Sequence, residues 1–188
     1  MTKPKLLLHS CCAPCSSAVL ERVAKDFAVT VYYYNPNIDT RAEFERRAAE
    51  IQKLKKMKIS FEVIVDEYKP EEYVRAVAGK ERLGEGSERC FCCYALRLRR
   101  TAEFARDNGY DVFATTLSIS SHKKITWIRE IGLGCQEKFG VEYLDEDFKK
   151  RDGYKRSLEL SRELKLYRQN YCGCKYSKVD VGQRVPGT

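Results

Sequence analysis

No stretch of this sequence approaches the roughly 18 consecutive apolar residues that a membrane-spanning helix needs. The start, MTKPKLLLHSCC, has too short an apolar run for a signal peptide, and no small-residue cleavage site follows it. A cytoplasmic protein with no membrane partner is therefore expected. Internal repeats and low-complexity tracts are also missing, so one folded unit is expected rather than an array.

Cysteine is not scarce. There are nine in 188 residues, an odd number. Cytosolic thiols stay reduced. A disulfide framework is thus not expected, and metal or redox chemistry comes forward. At this length the chain builds a core without such staples, and a single domain over 1–188 is the default. With 43% hydrophobic and 33% charged residues the composition is that of a globular protein. The net charge of +8 suits a polyanionic partner such as nucleic acid. A merely solvated basic surface accounts for it equally well.

Strand and helix patterns alternate. KLLLH (5–9) reads as a buried strand, and PCSSAVLERVAKDF as a helix with Val19, Leu20, Val23 and Ala24 on one face. Pro14 suits its first turn. AVTVYYYN (28–35) is β-branched and aromatic, hence a strand. Thr40 and Glu43 form a capping box ahead of a helix that aligns Phe44, Ala48 and Ile51. SFEVIV (60–65) reads as a third strand and KPEEYVRAVAG as a short helix, followed by an exposed loop over 80–89. A helix is expected over 94–109, a strand over 111–118, a helix over 124–139, a short strand over 141–144 and a helix from GYKRSLELSRELK. Such alternation implies right-handed βαβ units, a mostly parallel five-stranded sheet and helices on both faces. Ligands of such sheets bind beyond the carboxyl ends of the strands. HSCCAPC stands at that end of the first strand.

All cysteines but Cys135 fall into three tight groups: Cys11, Cys12 and Cys15; Cys90, Cys92 and Cys93; Cys172 and Cys174. Cys12 and Cys15 are three apart, as are Cys90 and Cys93. On a helical first turn such pairs face the same way. Soft thiolates select zinc, Cu(I) or iron–sulfur clusters. Four ligands complete a structural zinc site or a [4Fe–4S] cluster. The chain offers more, enough for a second metal or for redox thiols. Cys135 reads as a small buried hydrophobe, and Cys92 should point away from its neighbours. A thioredoxin-like pair would explain Cys12 and Cys15 but not the other two groups.

LLLHSCCAPCSSAVLE, YYYNPNIDTRAEFERR, RCFCCYALRLRRTAEFA, TTLSISSHKK, DFKKRDGYKRSLELSRE and LYRQNYCGCKYS together resemble the QueH family, the non-cobalamin epoxyqueuosine reductases. The likeness runs from about residue 5 to residue 178. It implies reduction of the epoxide of epoxyqueuosine in tRNA to queuosine, and a fold similar to the adenine nucleotide α-hydrolases and PP-loop ATPases. Those proteins carry a phosphate loop after the first strand. Here SCCAPCSS takes its place without a glycine, so backbone N–H groups cannot close on phosphate. Neither nucleotide nor cobalamin is expected. The resemblance implies a [4Fe–4S] cluster and an additional iron ion, drawn from Cys11, Cys12, Cys90, Cys93, Cys172 and Cys174, with Cys15 a further candidate. The side chains of Cys11 and Cys12 are expected to diverge and to serve two metal centres. The tail, 166–188, is expected to pack over the metal site.

Epoxide deoxygenation needs two electrons, two protons and activation of a C–O bond. An open iron is a suitable Lewis acid, and an external electron donor is implied. His122, Lys123 and Lys124 are candidates for proton delivery or phosphate contact, and Asp147 for a carboxylate ligand or an ion pair. The implied partner is the anticodon loop. Its unstacked base would stack on tyrosines, drawn from Tyr32 to Tyr34, Tyr94, Tyr167 and Tyr171. Arg97/Arg99/Arg100, Lys149/Lys150/Arg151 and Lys155/Arg156 would follow the phosphates. Two rivals stand beside this reading: a zinc-stapled RNA-binding protein without catalysis, and an iron–sulfur thiol or disulfide reductase.

Overall fold

The computed structural model describes residues 2–182, with side chains to 178. The part of the expected tail beyond these lies outside the described residues. Five strands form one sheet: β1 (Lys5–His9), β2 (Ala28–Tyr33), β3 (Phe61–Val65), β4 (Val112–Thr115) and β5 (Glu142–Tyr143). Their order is β3-β2-β1-β4-β5. Every pairing is parallel, so the sheet expected to be mostly parallel is wholly so. The chain leaves β1 in one direction across the sheet and returns on the other side through β4. The β1–β4 seam is therefore the switch point where such sheets take ligands.

The helices are α1 (Ala13–Val23), α2 (Arg41–Gln52), α3 (Pro70–Ala76), α4 (Glu88–Asp107), α5 (Ile125–Phe139), α6 (Gly153–Glu163) and α7 (Lys175–Gly182). Side chains of a strand alternate between faces, and β1 shows it within three residues. Leu6 and Leu8 pack with Val19, Leu20, Phe44, Ile51 and Leu160 from α1, α2 and α6. Leu7 packs on the opposite face with Leu98, Ala102, Ile128 and Ile131 from α4 and α5. All three leucines are fully buried. Each contributes on the order of 1.5–3 kcal/mol by leaving water. With both faces covered, β1 reads as the unbroken apolar run of a central parallel strand.

Local signals set the helix starts near the site. Pro14 occupies the first turn of α1, and Cys12 is its N-cap with extended backbone and no side-chain cap bond. The Cys12 thiol is thus left free of capping. Thr40 Oγ1 accepts from Glu43 N at 3.2 Å. The reciprocal half of the expected capping box is diverted, because the Glu43 carboxylate accepts from Arg47 Nε instead, at 2.7 Å. One boundary differs from the expectation. Helix α4 begins at Glu88, not at Tyr94, so Cys90, Cys92 and Cys93 all lie in its first two turns.

Candidate metal centre

The three cysteine groups meet at the carboxyl edge of the sheet, although the sequence separates them by up to about 160 residues. The first follows β1. Cys11 N donates to Thr116 Oγ1 at 3.1 Å, and that hydroxyl approaches Cys11 Sγ at 3.4 Å, which ties the loop to the end of β4. Ser10 Oγ and Ser16 Oγ, 2.6 Å apart, close the loop from below. The sulfurs of Cys11, Cys12 and Cys15 all lie within 4.8 Å of one another, with Cys11 and Cys12 at 3.8 Å. Among the described residues this is the one group of three or more metal-ligating side chains so gathered. The expected divergence of Cys11 and Cys12 is therefore corrected. The chain bends at Cys11 between β1 and α1, the adjacent thiols lie to one side, and Cys15 comes up from the first turn of α1 to join them.

The second and third groups share a smaller cavity. Cys90, Cys93, Cys172 and Cys174 line it with Asn37 and Tyr73. Cys90 Sγ accepts from Gly86 N at 3.4 Å, and Cys174 Sγ from Ser177 N at 3.4 Å. Cys172 lines this cavity and also a larger one of about 280 Å³ that holds Cys11, Cys12, Cys15, Arg97, His122 and Lys123. It thereby joins the two spaces. Cys92 lines neither, and Cys135 is buried on the core face of α5.

The C-terminal residues reach this place through α2. Glu50 Oε2 accepts from Tyr167 N at 2.9 Å. The buried Arg47 donates from Nη1 to Cys172 O at 3.1 Å and lies against the Tyr171 ring. Asp39 N donates to Gly173 O at 3.0 Å. This anchoring was not legible in the sequence, since it pairs residues more than 115 positions apart.

Ionisation follows from this packing. Hydrogen bonds from Cys12 and Cys15 hold the Cys11 thiol well below its usual range, with Lys123 and Arg97 assisting. The same bond to Cys11 pushes Cys12 up to about 12. Burial pushes Cys93 up to about 12 and raises Cys90. Burial, then Arg97, lowers His9 to about 3, so its ring is neutral. Burial opposes the charge of Lys123, but Cys172 and Cys11 outweigh it and its pKa is raised.

The other site candidates fall as follows. His122 and Lys123 line the larger cavity, His122 exposed and Lys123 partly so. Asp147 lines neither cavity, and its Oδ1 accepts from Lys149 N at 3.2 Å. Tyr32, Tyr33, Tyr34 and Tyr94 are buried in the core, which removes them as stacking platforms for a base. Tyr33 faces opposite to Tyr32 and Tyr34, as strand alternation requires. Tyr171 and the exposed Tyr154 line the larger cavity instead. Of the basic runs, Arg97 is buried and Arg156 is engaged with Glu21, Glu159 and Glu163. A roomier concavity of about 890 Å³ opens at the amino ends of β1 to β3, lined by Lys3, Lys5 and Lys58. It contains no cysteine, and ligands of parallel sheets bind at the opposite edge.

Fold and site define a class: an open parallel α/β protein whose switch-point loop presents thiols where its architecture elsewhere presents phosphate-binding backbone. The sulfurs fit a soft metal, with three mutually close and four around an adjoining cavity. The sequence profile described as "Epoxyqueuosine reductase QueH" matches residues 6–180. The chain belongs to this family of oxidoreductases. Proteins named Epoxyqueuosine reductase QueH are similar along nearly its whole length. That of Streptococcus pyogenes serotype M1 is 41% identical over 180 residues, 93% of this chain and 71% of the relative. Those of Staphylococcus epidermidis and Thermotoga maritima are 36% and 38% identical, covering 96% and 93% of this chain and 79% and 91% of the relatives. Among the described residues no helix is long and apolar enough to cross a membrane.

Proposed function

We propose that this protein reduces epoxyqueuosine to queuosine in tRNA, and that its clustered cysteines hold a [4Fe–4S] cluster and an additional iron. The convergence of three separate cysteine groups on the switch point of a QueH-family fold carries this reading. The overall reaction takes two electrons and two protons, converts the epoxide to an alkene and releases its oxygen as water. When bound, the metals supply electrons one at a time and a Lewis acid for the epoxide oxygen. The ligand pool is Cys11, Cys12, Cys15, Cys90, Cys93, Cys172 and Cys174.

The remaining residues bind, orient and supply protons. Tyr154, Tyr171, Asn170 and Arg168 line the larger cavity and face an incoming nucleotide. Lys123 keeps its proton on Nζ, because the neighbouring cysteines raise its pKa. Its first role is thus a positive charge facing an oxygen that becomes negative. His122, exposed on the same rim, is the better placed group to exchange protons with water. Asp147 is kept as a candidate for orienting the basic turn 147–150 rather than for touching metal, since its carboxylate is engaged with Lys149 N. The anticodon loop of tRNA is the expected macromolecular partner and a low-potential one-electron donor the expected source of electrons.

The test is anaerobic. Protein reconstituted with iron and sulfide is mixed with a chemical reductant and tRNA that carries epoxyqueuosine, and the nucleosides are read by mass spectrometry. Queuosine should appear with wild type and fall at least 100-fold with Cys12→Ala or Cys93→Ala. A wild-type protein that takes up iron and sulfide yet leaves the epoxide intact would overturn the assignment.

A further inference from the structure

Arg47, Arg89 and Arg97 are almost wholly buried near the site, and Arg47 and Arg97 are treated differently. Arg47 has a carboxylate, Glu43, at 2.7 Å. Arg97, 2% exposed, has none among the described residues. Its Nε donates to His9 Nε2 at 3.3 Å and its Nη2 to Asn35 Oδ1. Both partners are neutral, and both are fixed from behind. His9 Nδ1 pairs with Thr115 Oγ1 at 2.8 Å, and Asn35 Nδ2 donates to Ser10 O at 2.8 Å. Arg97 follows Cys93 by four residues on α4, so the two share a face. It also lines the larger cavity with Cys11, Cys12, Cys15 and Cys172. The guanidinium therefore stands between the cysteines that follow β1 and those of α4.

An unpaired buried cation is costly. A fold that clamps one with two neutral acceptors, and aims it at thiols, is arranged for a negative occupant. A centre held by thiolates is such an occupant, and reduction makes it more negative by one charge.

We propose that Arg97 is the charge-compensating residue of the metal centre: its guanidinium, held between Cys93 and Cys11, stabilises the reduced state and raises the reduction potential. The inference rests on the thiolate-metal reading above. The step it concerns is transfer of one electron from a low-potential donor to the oxidised centre, with no bond made or broken. Arg97 is a positioning residue here, acting through charge and not by touching substrate.

The experiment is a redox titration with dithionite, followed by electron paramagnetic resonance, on reconstituted wild type, Arg97→Lys, Arg97→Gln and Asn35→Asp. Iron and sulfide per chain are measured alongside. Arg97→Gln should shift the equilibrium at least tenfold toward the oxidised state, a fall of about 59 mV for one electron. Arg97→Lys keeps the charge and should stay within threefold of wild type. Asn35→Asp places a carboxylate on the guanidinium and should move the same way as Arg97→Gln. It decides the matter with Arg97 in place should the glutamine variant fail to fold. Potentials of Arg97→Gln and Asn35→Asp equal to wild type would overturn the inference and leave the metal reading standing. So would Arg97→Lys falling as far as Arg97→Gln, which would point to packing rather than charge. A wild type that takes up neither iron nor sulfide overturns both.

Discussion

Two residues decide whether Cys172 and Cys174 reach the site. Arg47 ties Cys172 O to α2, and Gly173 lets the chain pass over it. Gly173 has φ +124, a conformation that L side chains rarely adopt. A Cβ there would come within 3.0 Å of Arg47 Nη1 and 3.2 Å of Ile38 Cγ1. Gly173→Ala should cost on the order of 1–3 kcal/mol in backbone strain. Denaturant midpoints measure it, and faster alkylation of Cys172 in the metal-free protein should accompany the loss. Arg47→Ala removes one partner of a buried ion pair, which costs about 3–5 kcal/mol in such settings. An equal midpoint for wild type and Arg47→Ala would mean that this anchor contributes nothing. The sequence shows Cys-Gly-Cys plainly. It does not show that the glycine is there for an arginine about 125 positions earlier, because pattern reading sees spacing and not contact.

Elements carry the next level. Alternation in β1 and β2, the Pro14 turn and the Thr40 cap were all readable, since each is a local rule with a residue that obeys it. The start of α4 was not. Cysteine has modest helix propensity, and Ser87 turns its hydroxyl to Gly84 O rather than capping the helix. The tyrosines of β2 were legible as alternating but not as buried. Their burial depends on α2 closing one face and α4 the other. The join between α2 and the tail makes a pH prediction. Glu50 lies in the buried part of α2, and although burial works against its charge, Lys53 and Tyr167 N lower its pKa below the usual carboxylate value. A depressed folded pKa means that its stabilisation is complete above the unfolded value, near 4.5, and is lost as pH falls through the lower folded value. Hydrogen-exchange protection of the Tyr167 amide should therefore drop in acid for wild type. Glu50→Gln should show weaker protection at neutral pH and no acid step at this amide.

The whole molecule sets the reach of the site. The five-stranded parallel sheet with helices on both faces was legible because strand and helix periods alternate cleanly along the chain. The location of the site followed from it, as HSCCAPC ends the central strand. Which thiols meet was not legible, and Cys11 with Cys12 is the instance: neighbours in a regular strand diverge, and here the chain bends at Cys11, where the strand has ended. The net charge of +8 is also more internal than its total suggests, with Arg47 and Arg97 buried. Exposed Arg168 at the cavity is a better phosphate contact. Arg168→Ala should weaken tRNA binding across sequences and reduce the salt slope of log K by about 1. An unchanged slope would remove it from the RNA path.

The central claim is that the thiol-lined carboxyl edge is a redox metal centre and not a zinc staple. Iron, acid-labile sulfide and zinc, measured per chain on protein purified anaerobically and paired with its visible spectrum, test it most directly. The account predicts a brown protein containing iron and sulfide, with both lost together in Cys12→Ala and Cys93→Ala. A colourless protein with stoichiometric zinc, which takes up no iron or sulfide on reconstitution, would contradict it.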